Sequence, residues 1–210
     1  MKKISKQLMM TAVASVLFSS AALMAESQYG YSSSGVIGTG GLTAQADVKI
    51  TVTVPNLILL RVGSANTTVD ELTFTGTPSI PAVPTNPADG NNVSVDWDGT
   101  APTFSAATAQ TLRAFSWTNS AGGGEVDCAV TTAFPAASNL LPSHVTITST
   151  AVTNGGLAHP GADSACGTPT SFARNTLVSS DWEYQVTAAG MAAAAPGTYS
   201  QTMTYTATAL

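Results

Sequence analysis

An all-β sandwich is the fold class that this sequence predicts, on three observations. Segments in which apolar and polar residues alternate recur along the chain, rich in Val, Ile and Thr. Turn signals built from Gly, Pro, Asn and Asp separate them every ~8–15 residues. No apolar pattern of helical period follows residue 25.

The first 25 residues read as a secretion signal rather than as part of the fold. Lys2, Lys3 and Lys6 form a cationic start, Leu8 to Leu23 an apolar stretch, and Leu23-Met24-Ala25 a cleavage site before Glu26. No later segment approaches the roughly 18 consecutive apolar residues of a membrane helix, so no membrane insertion is expected. Export implies the periplasm in transit, then the cell surface or the extracellular space. Residues 26–45 are Gly/Ser-rich and non-periodic, a flexible leader. Residues 46–210 then read as one sandwich domain that includes the early strand.

Ala46–Val54 is that first strand, with Val48, Ile50, Val52 and Val54 on one face and Lys49, Thr51 and Thr53 on the other. Pro55-Asn56 breaks it, and the nearly continuous apolar run from Leu57 to Val62 fits a strand buried on both faces. Thr67 to Thr75 resumes the alternation, with Leu72 and Phe74 pointing one way. Residues 76–91 hold four prolines and read as a long crossover between sheets. Val93 to Trp97 is a short strand closed by Asp98-Gly99. In Thr111 to Trp117, Arg113, Phe115 and Trp117 share one face, and Leu112 and Ala114 the other.

Gly122-Gly123-Gly124 turns the chain into the alternation of Val126, Cys128, Val130, Thr132 and Phe134. His144 to Val152 is a strand with an irregularity before Val152, and a Gly/Pro/Ser loop from Asn154 to Thr170 carries Cys166. Trp182, Tyr184 and Val186 mark the penultimate strand. From Tyr199, odd positions (Tyr199, Met203, Tyr205, Ala207) form an apolar face and even positions (Thr202, Thr204, Thr206, Thr208) a hydroxyl ladder. The sum is about nine strands, best accommodated by an immunoglobulin-like Greek-key sandwich. A transmembrane barrel would need a lipid-facing apolar row on each strand and aromatic girdles, which the threonine ladder does not supply.

Charged residues are only 9% of the chain. Beyond the signal, Lys49, Arg61, Arg113 and Arg174 stand against all 12 acidic residues, which excludes a nucleic-acid partner. Export and an even count pair Cys128 with Cys166 in a disulfide. Closing a loop of about 39 residues stabilises by roughly 4 kcal/mol on the chain-entropy model.

His144 and His159 each sit beside a turn and read as surface residues, with no spaced metal partner and no G-x-S-x-G elbow. No catalytic residue and no cofactor is expected. Asp89, Asp96 and Asp98 could offer calcium oxygen ligands, but Asp-Gly is also an ordinary turn signature. Trp117 and Trp182 lie in strand patterns and are expected in the core, whereas Trp97, at a strand end between two aspartates, is a candidate ligand-stacking residue.

The ending Pro196-Gly197-Thr198-Tyr199-Ser200-Gln201-Thr202-Met203-Thr204-Tyr205 resembles the final strand of chaperone–usher fimbrial subunits, especially the archaic group related to spore coat protein U. The alternating Ala46–Val54 segment is also similar to theirs. The chain departs from that family at Ala209, where many pilins carry an aromatic, and in its mid-chain cysteines. The resemblance implies an immunoglobulin-like sandwich lacking its last strand, completed by a neighbour's N-terminal segment. It implies a homopolymer of a surface fimbrium, assembled with a periplasmic chaperone and an outer-membrane usher, for adhesion or biofilm formation. Val48, Ile50, Val52 and Val54 would be the donor side chains; Tyr199, Met203 and Tyr205 would lie in the C-terminal strand. A self-contained secreted module binding polysaccharide through Trp97 is the alternative.

Overall fold

The computed structural model describes residues 27–65, 67–81, 85–153 and 155–210. The secretion signal expected over residues 1–25 lies outside the described residues. The chain divides between Val54 and Pro55 into two units.

In the first unit, no residue of 27–54 belongs to a helix or a strand. The strand expected over Ala46–Val54 is therefore absent. Val48, Ile50, Val52 and Val54 are between 73% and 82% exposed. Alternation gives a segment the surface of a strand, but a strand exists only with a ladder partner to take its main-chain hydrogen bonds.

The second unit is an antiparallel β-sandwich. Its strands are β1 (Ile58–Val62), β2 (Pro78–Ser79), β3 (Thr103–Phe104), β4 (Gln110–Thr118), β5 (Gly124–Thr132), β6 (Val145–Thr153), β7 (Thr170–Phe172), β8 (Val178–Val186) and β9 (Thr202–Ala209). One sheet has the order β1-β4-β8-β6 and the other β7-β5-β9, while β2 and β3 form a separate ribbon. The core draws on both sheets: Ala114, Val126, Ile147, Phe172, Val178, Trp182 and Tyr184 are buried together with Leu157 from the loop after β6. Trp182 is 0% exposed, and its indole N–H donates to the Leu157 carbonyl at 2.7 Å. Cys128 of β5 and Cys166 of that loop are joined in a disulfide, their Cα atoms 5.5 Å apart.

The long strands form where alternation meets a partner of equal length. β4 pairs with β8 from Gln110↔Tyr184 to Ser116↔Val178, and β5 with β9 from Gly124↔Ala209 onwards. The irregularity expected in β6 is a register shift between Ala151 and Thr153.

Elsewhere the structure corrects the reading. β1 is an edge strand of alternating burial, with Leu59 turned outward and 55% exposed, rather than a strand covered on both faces. Residues 67–75 join no ladder, although Leu72 and Phe74 do share a side and pack half-buried against the core. Val93–Trp97 is exposed and forms no strand. The proline-rich stretch is not only a crossover, since Pro78–Ser79 pairs with Thr103–Phe104 in a two-stranded ribbon where proline's missing N–H is tolerated.

In β4 the inward residues are Ala114, Ser116 and Thr118, so Trp117 is half-buried on the outer face rather than in the core. The inward hydroxyls are satisfied by β1 and the residue before it: Ser116 Oγ donates to the Leu59 carbonyl at 2.9 Å and Thr118 Oγ1 to the Leu57 carbonyl at 2.8 Å. A helical turn, α1 (Ala188–Ala193), follows β8 and was not foreseen. Alanine favours it, and the Thr187 hydroxyl caps it by accepting the Gly190 N–H at 3.0 Å.

Candidate functional site

An open sheet edge exposes a row of unpaired N–H and C=O groups and so invites another strand. The sandwich has four edges, β1, β6, β7 and β9, and they are not equally protected. The loop after β6 covers the start of that strand, with Ile147 N donating to Ala162 O at 2.8 Å and Ser164 N to Val145 O at 2.9 Å. Its far end is distorted by the shift between Ala151 and Thr153. β7 has only three residues and β1 five.

β9 is different. It has eight residues, TMTYTATA, with no charge and no proline, and its ladder with β5 runs unbroken from Met203 to Ala209. Its inward row of Met203, Tyr205 and Ala207 is only half-buried against the core. The facing row on β1, Ile58, Leu60 and Val62, is half-buried too. Those two strands approach across the gap between the sheets, with Cα pairs inside 8 Å, yet no ladder joins them. Main-chain groups on the free side of β9 thus have no strand partner among the described residues. Placing one there at the usual ~4.8 Å requires β1 to give way outward. The outward threonines, Thr202, Thr204, Thr206 and Thr208, are exposed as the alternation predicts. Tyr199 is not in this strand, which begins at Thr202; its hydroxyl closes the preceding turn by donating to the Pro196 carbonyl at 3.1 Å.

Behind β9 sits a buried polar cluster. His159, expected at the surface, is 6% exposed. Its Nε2 lies 2.8 Å from the Tyr205 hydroxyl, which lies 2.9 Å from the Tyr184 hydroxyl. Its Nδ1 lies 2.8 Å from the Gly161 carbonyl. The ring meets Trp182 edge-on at a centroid distance of 4.9 Å and Tyr205 at 5.4 Å. Burial pulls the imidazole below its ordinary value of 6.5, against the raising influence of the Gly161 hydrogen bond and the Asp163 carboxylate. Burial likewise pushes Tyr184 up to about 12 and raises Tyr205, with Tyr184 beside it adding to the latter. The sequence signal was present: Tyr184 and Tyr205 fall on inward positions of two strands, and buried tyrosine hydroxyls need partners. His144 is half-buried in a short turn, its Nδ1 accepting the Leu141 N–H at 3.1 Å.

The remaining candidates do not converge. Trp97 is 56% exposed, with its indole N–H donated to the Thr100 carbonyl at 2.6 Å. Asp98 accepts the Thr100 N–H at 2.9 Å, a turn that holds its carboxyl below the usual range. Asp89 and Asp96 do not join it in a ligand set, for among the described residues no three His, Cys, Asp or Glu side chains gather as a metal site would require. On the outer face of the four-stranded sheet, Arg113 pairs with Asp181 at 2.8 Å, and the Arg61 guanidinium lies 4.0 Å over the Phe115 ring. Comparisons with protein-family models, with curated proteins and with solved structures gave no match.

Proposed function

We propose that the chain is an exported structural subunit of a bacterial surface filament, serving adhesion or biofilm formation and polymerising by strand complementation. Ala46–Val54 of one subunit adds to β9 of the next, its Val48, Ile50, Val52 and Val54 covering the apolar row of Met203, Tyr205 and Ala207. A periplasmic chaperone would shield β9 before assembly, and an outer-membrane usher would export the polymer.

The observation that carries this reading is the edge of β9: long, uncharged, without a ladder partner on its free side and backed by half-buried apolar side chains. In a monomer designed to stay single such an edge is a liability; in a filament subunit it is the acceptor. The strand order β1-β4-β8-β6 over β7-β5-β9 fits an immunoglobulin-like plan with the place beside β9 open. The donor is supported by its alternation and by the exposure of its four aliphatic side chains.

Deleting residues 26–54 from the mature chain tests the proposal. The truncated protein should fail to polymerise and should bind an added peptide of residues 46–54, measured by sedimentation and by fluorescence titration. A truncated chain that is monomeric, fully stable and indifferent to the peptide would end the filament reading and leave the self-contained binding module in its place.

A further inference from the structure

Tyr205 is the only aromatic residue of β9. Its ring belongs to the row on which a complementing strand would lie, while its hydroxyl turns inward to His159 and Tyr184. The direction of every proton in this cluster follows from one group. The Gly161 carbonyl can only accept, so Nδ1 of His159 carries the hydrogen and Nε2 is left as the acceptor. The Tyr205 hydroxyl therefore donates to Nε2, and the Tyr184 hydroxyl donates to Tyr205. All three side chains are satisfied only while the imidazole is neutral. A proton added at Nε2 would turn Tyr205 from donor to acceptor there and leave one of the two tyrosine hydroxyl hydrogens without a partner in the cluster.

We propose that His159 is a positioning residue for the acceptor strand: its neutral form holds Tyr205, and with it the apolar row of β9, where a donor strand needs it, so that strand addition is favoured at neutral pH and weakened in acid. This inference rests on reading β9 as the acceptor.

The groups that meet His159 come from each element packed against it: Asp163 from its own loop, Trp182 and Tyr184 from β8, Tyr205 from β9, and the Ser149 hydroxyl from β6, which accepts the His159 main-chain N–H at 2.8 Å. Asp163 is the one carboxylate that acts on the ring, and it opposes burial without outweighing it. The sign follows. An imidazole that burial holds below 6.5 takes up its proton at a lower pH than a free one. A donor strand laid over Tyr205 removes the ring further from water and lowers its proton affinity again. Protonation must then weaken strand binding by the same factor. The loss begins below about pH 6.5 and deepens until the bound form itself titrates.

The test uses the full mature chain carrying Ile50→Asp, whose own donor is disabled, with an added peptide of residues 46–54. Between about pH 5 and about pH 7.5 peptide affinity should differ severalfold, tighter at the higher pH. With His159→Gln added, whose amide can donate to Gly161 and accept from Tyr205 but cannot titrate, the affinity should be the same at both. Proton NMR of the original pair supplies a readout free of that second variant: peptide should lower the His159 titration midpoint by about one pH unit. Binding that is equal at both pH values, an undiminished acid loss in the His159→Gln protein, or a midpoint that peptide leaves in place would each overturn the role of His159. Absence of peptide binding at the higher pH would instead overturn the reading of β9 as the acceptor.

Discussion

Replacing both Ile50 and Val52 with aspartate should leave the free subunit as stable as before and abolish its polymerisation. Both side chains are more than three-quarters exposed, so the substitution uncovers no buried side chain, and unfolding free energies should agree within about 0.5 kcal/mol. In the filament the same two side chains would be covered. Burying an aliphatic side chain of this size contributes about 2 kcal/mol, so losing two weakens each subunit junction by about 4 kcal/mol, roughly a thousandfold. Bringing two carboxylates against an apolar row weakens it further. Exchanging Thr51 and Thr53, on the opposite face of the segment, for aspartate should have little effect. Electron microscopy and sedimentation of the two double variants read the contrast directly. Equal loss in both would mean that charge rather than facing matters.

Trp182→Ala should destabilise the sandwich by about 3–5 kcal/mol, a large part of the 5–15 kcal/mol by which such domains hold together. The ring is 0% exposed in the core cluster, meets His159 edge-on and lies 5.1 Å from the Tyr205 ring. Its loss leaves a cavity between the sheets and an orphaned carbonyl at Leu157, which now accepts the indole N–H. Trp117→Ala is the internal comparison. That ring is half-buried on the outer face opposite Leu59 of β1, where Leu177 lines the same hollow, and its removal should cost about 1 kcal/mol. Chemical denaturation of both variants, monitored by far-ultraviolet circular dichroism, gives the two numbers. Similar losses would mean that the core is not centred where Trp182 lies.

The two tryptophans also mark what the sequence discloses and what it withholds. Alternation located β4, β5, β6, β8 and β9 because each is long and finds a partner of matching length. It did not tell which face of β4 points inward, because period two is symmetric until something fills the space opposite. Trp182 of the neighbouring strand β8 stands on the inner face beside Leu112, while β4 turns the small Ala114, Ser116 and Thr118 inward and leaves Phe115 and Trp117 outside. The same periodicity misled at Thr67–Thr75 and Val93–Trp97, where the pattern is present and the ladder is not. Ladder partners are set by contacts distant in sequence, which no local pattern contains.

The disulfide was legible from the even cysteine count and the expected export, and the two Cα atoms stand 5.5 Å apart, within bridging reach. His159 was not, because its neighbours Pro160 and Gly161 signal a turn, and a turn is ordinarily at the surface. Here the loop that bears it folds inward, with Leu157, His159, Pro160 and Ser164 all buried, tied to β5 through Cys128–Cys166 and to β9 through Tyr205.

The central claim is that β9 receives a strand from a neighbour, and amide hydrogen exchange along residues 202–209 measures it most directly. β9 is hydrogen-bonded to β5 on one side only. The Leu210 N–H donates to Gly123 O in continuation of that ladder, so the even-numbered amides face β5 and the odd-numbered ones the free side. In the separate subunit the free-side amides should exchange quickly and the others slowly. In the polymer both sets should be slow. Should the free-side amides of β9 exchange as fast in the polymer as in the free chain, the subunits are joined by some other surface, and the account given of this edge is wrong.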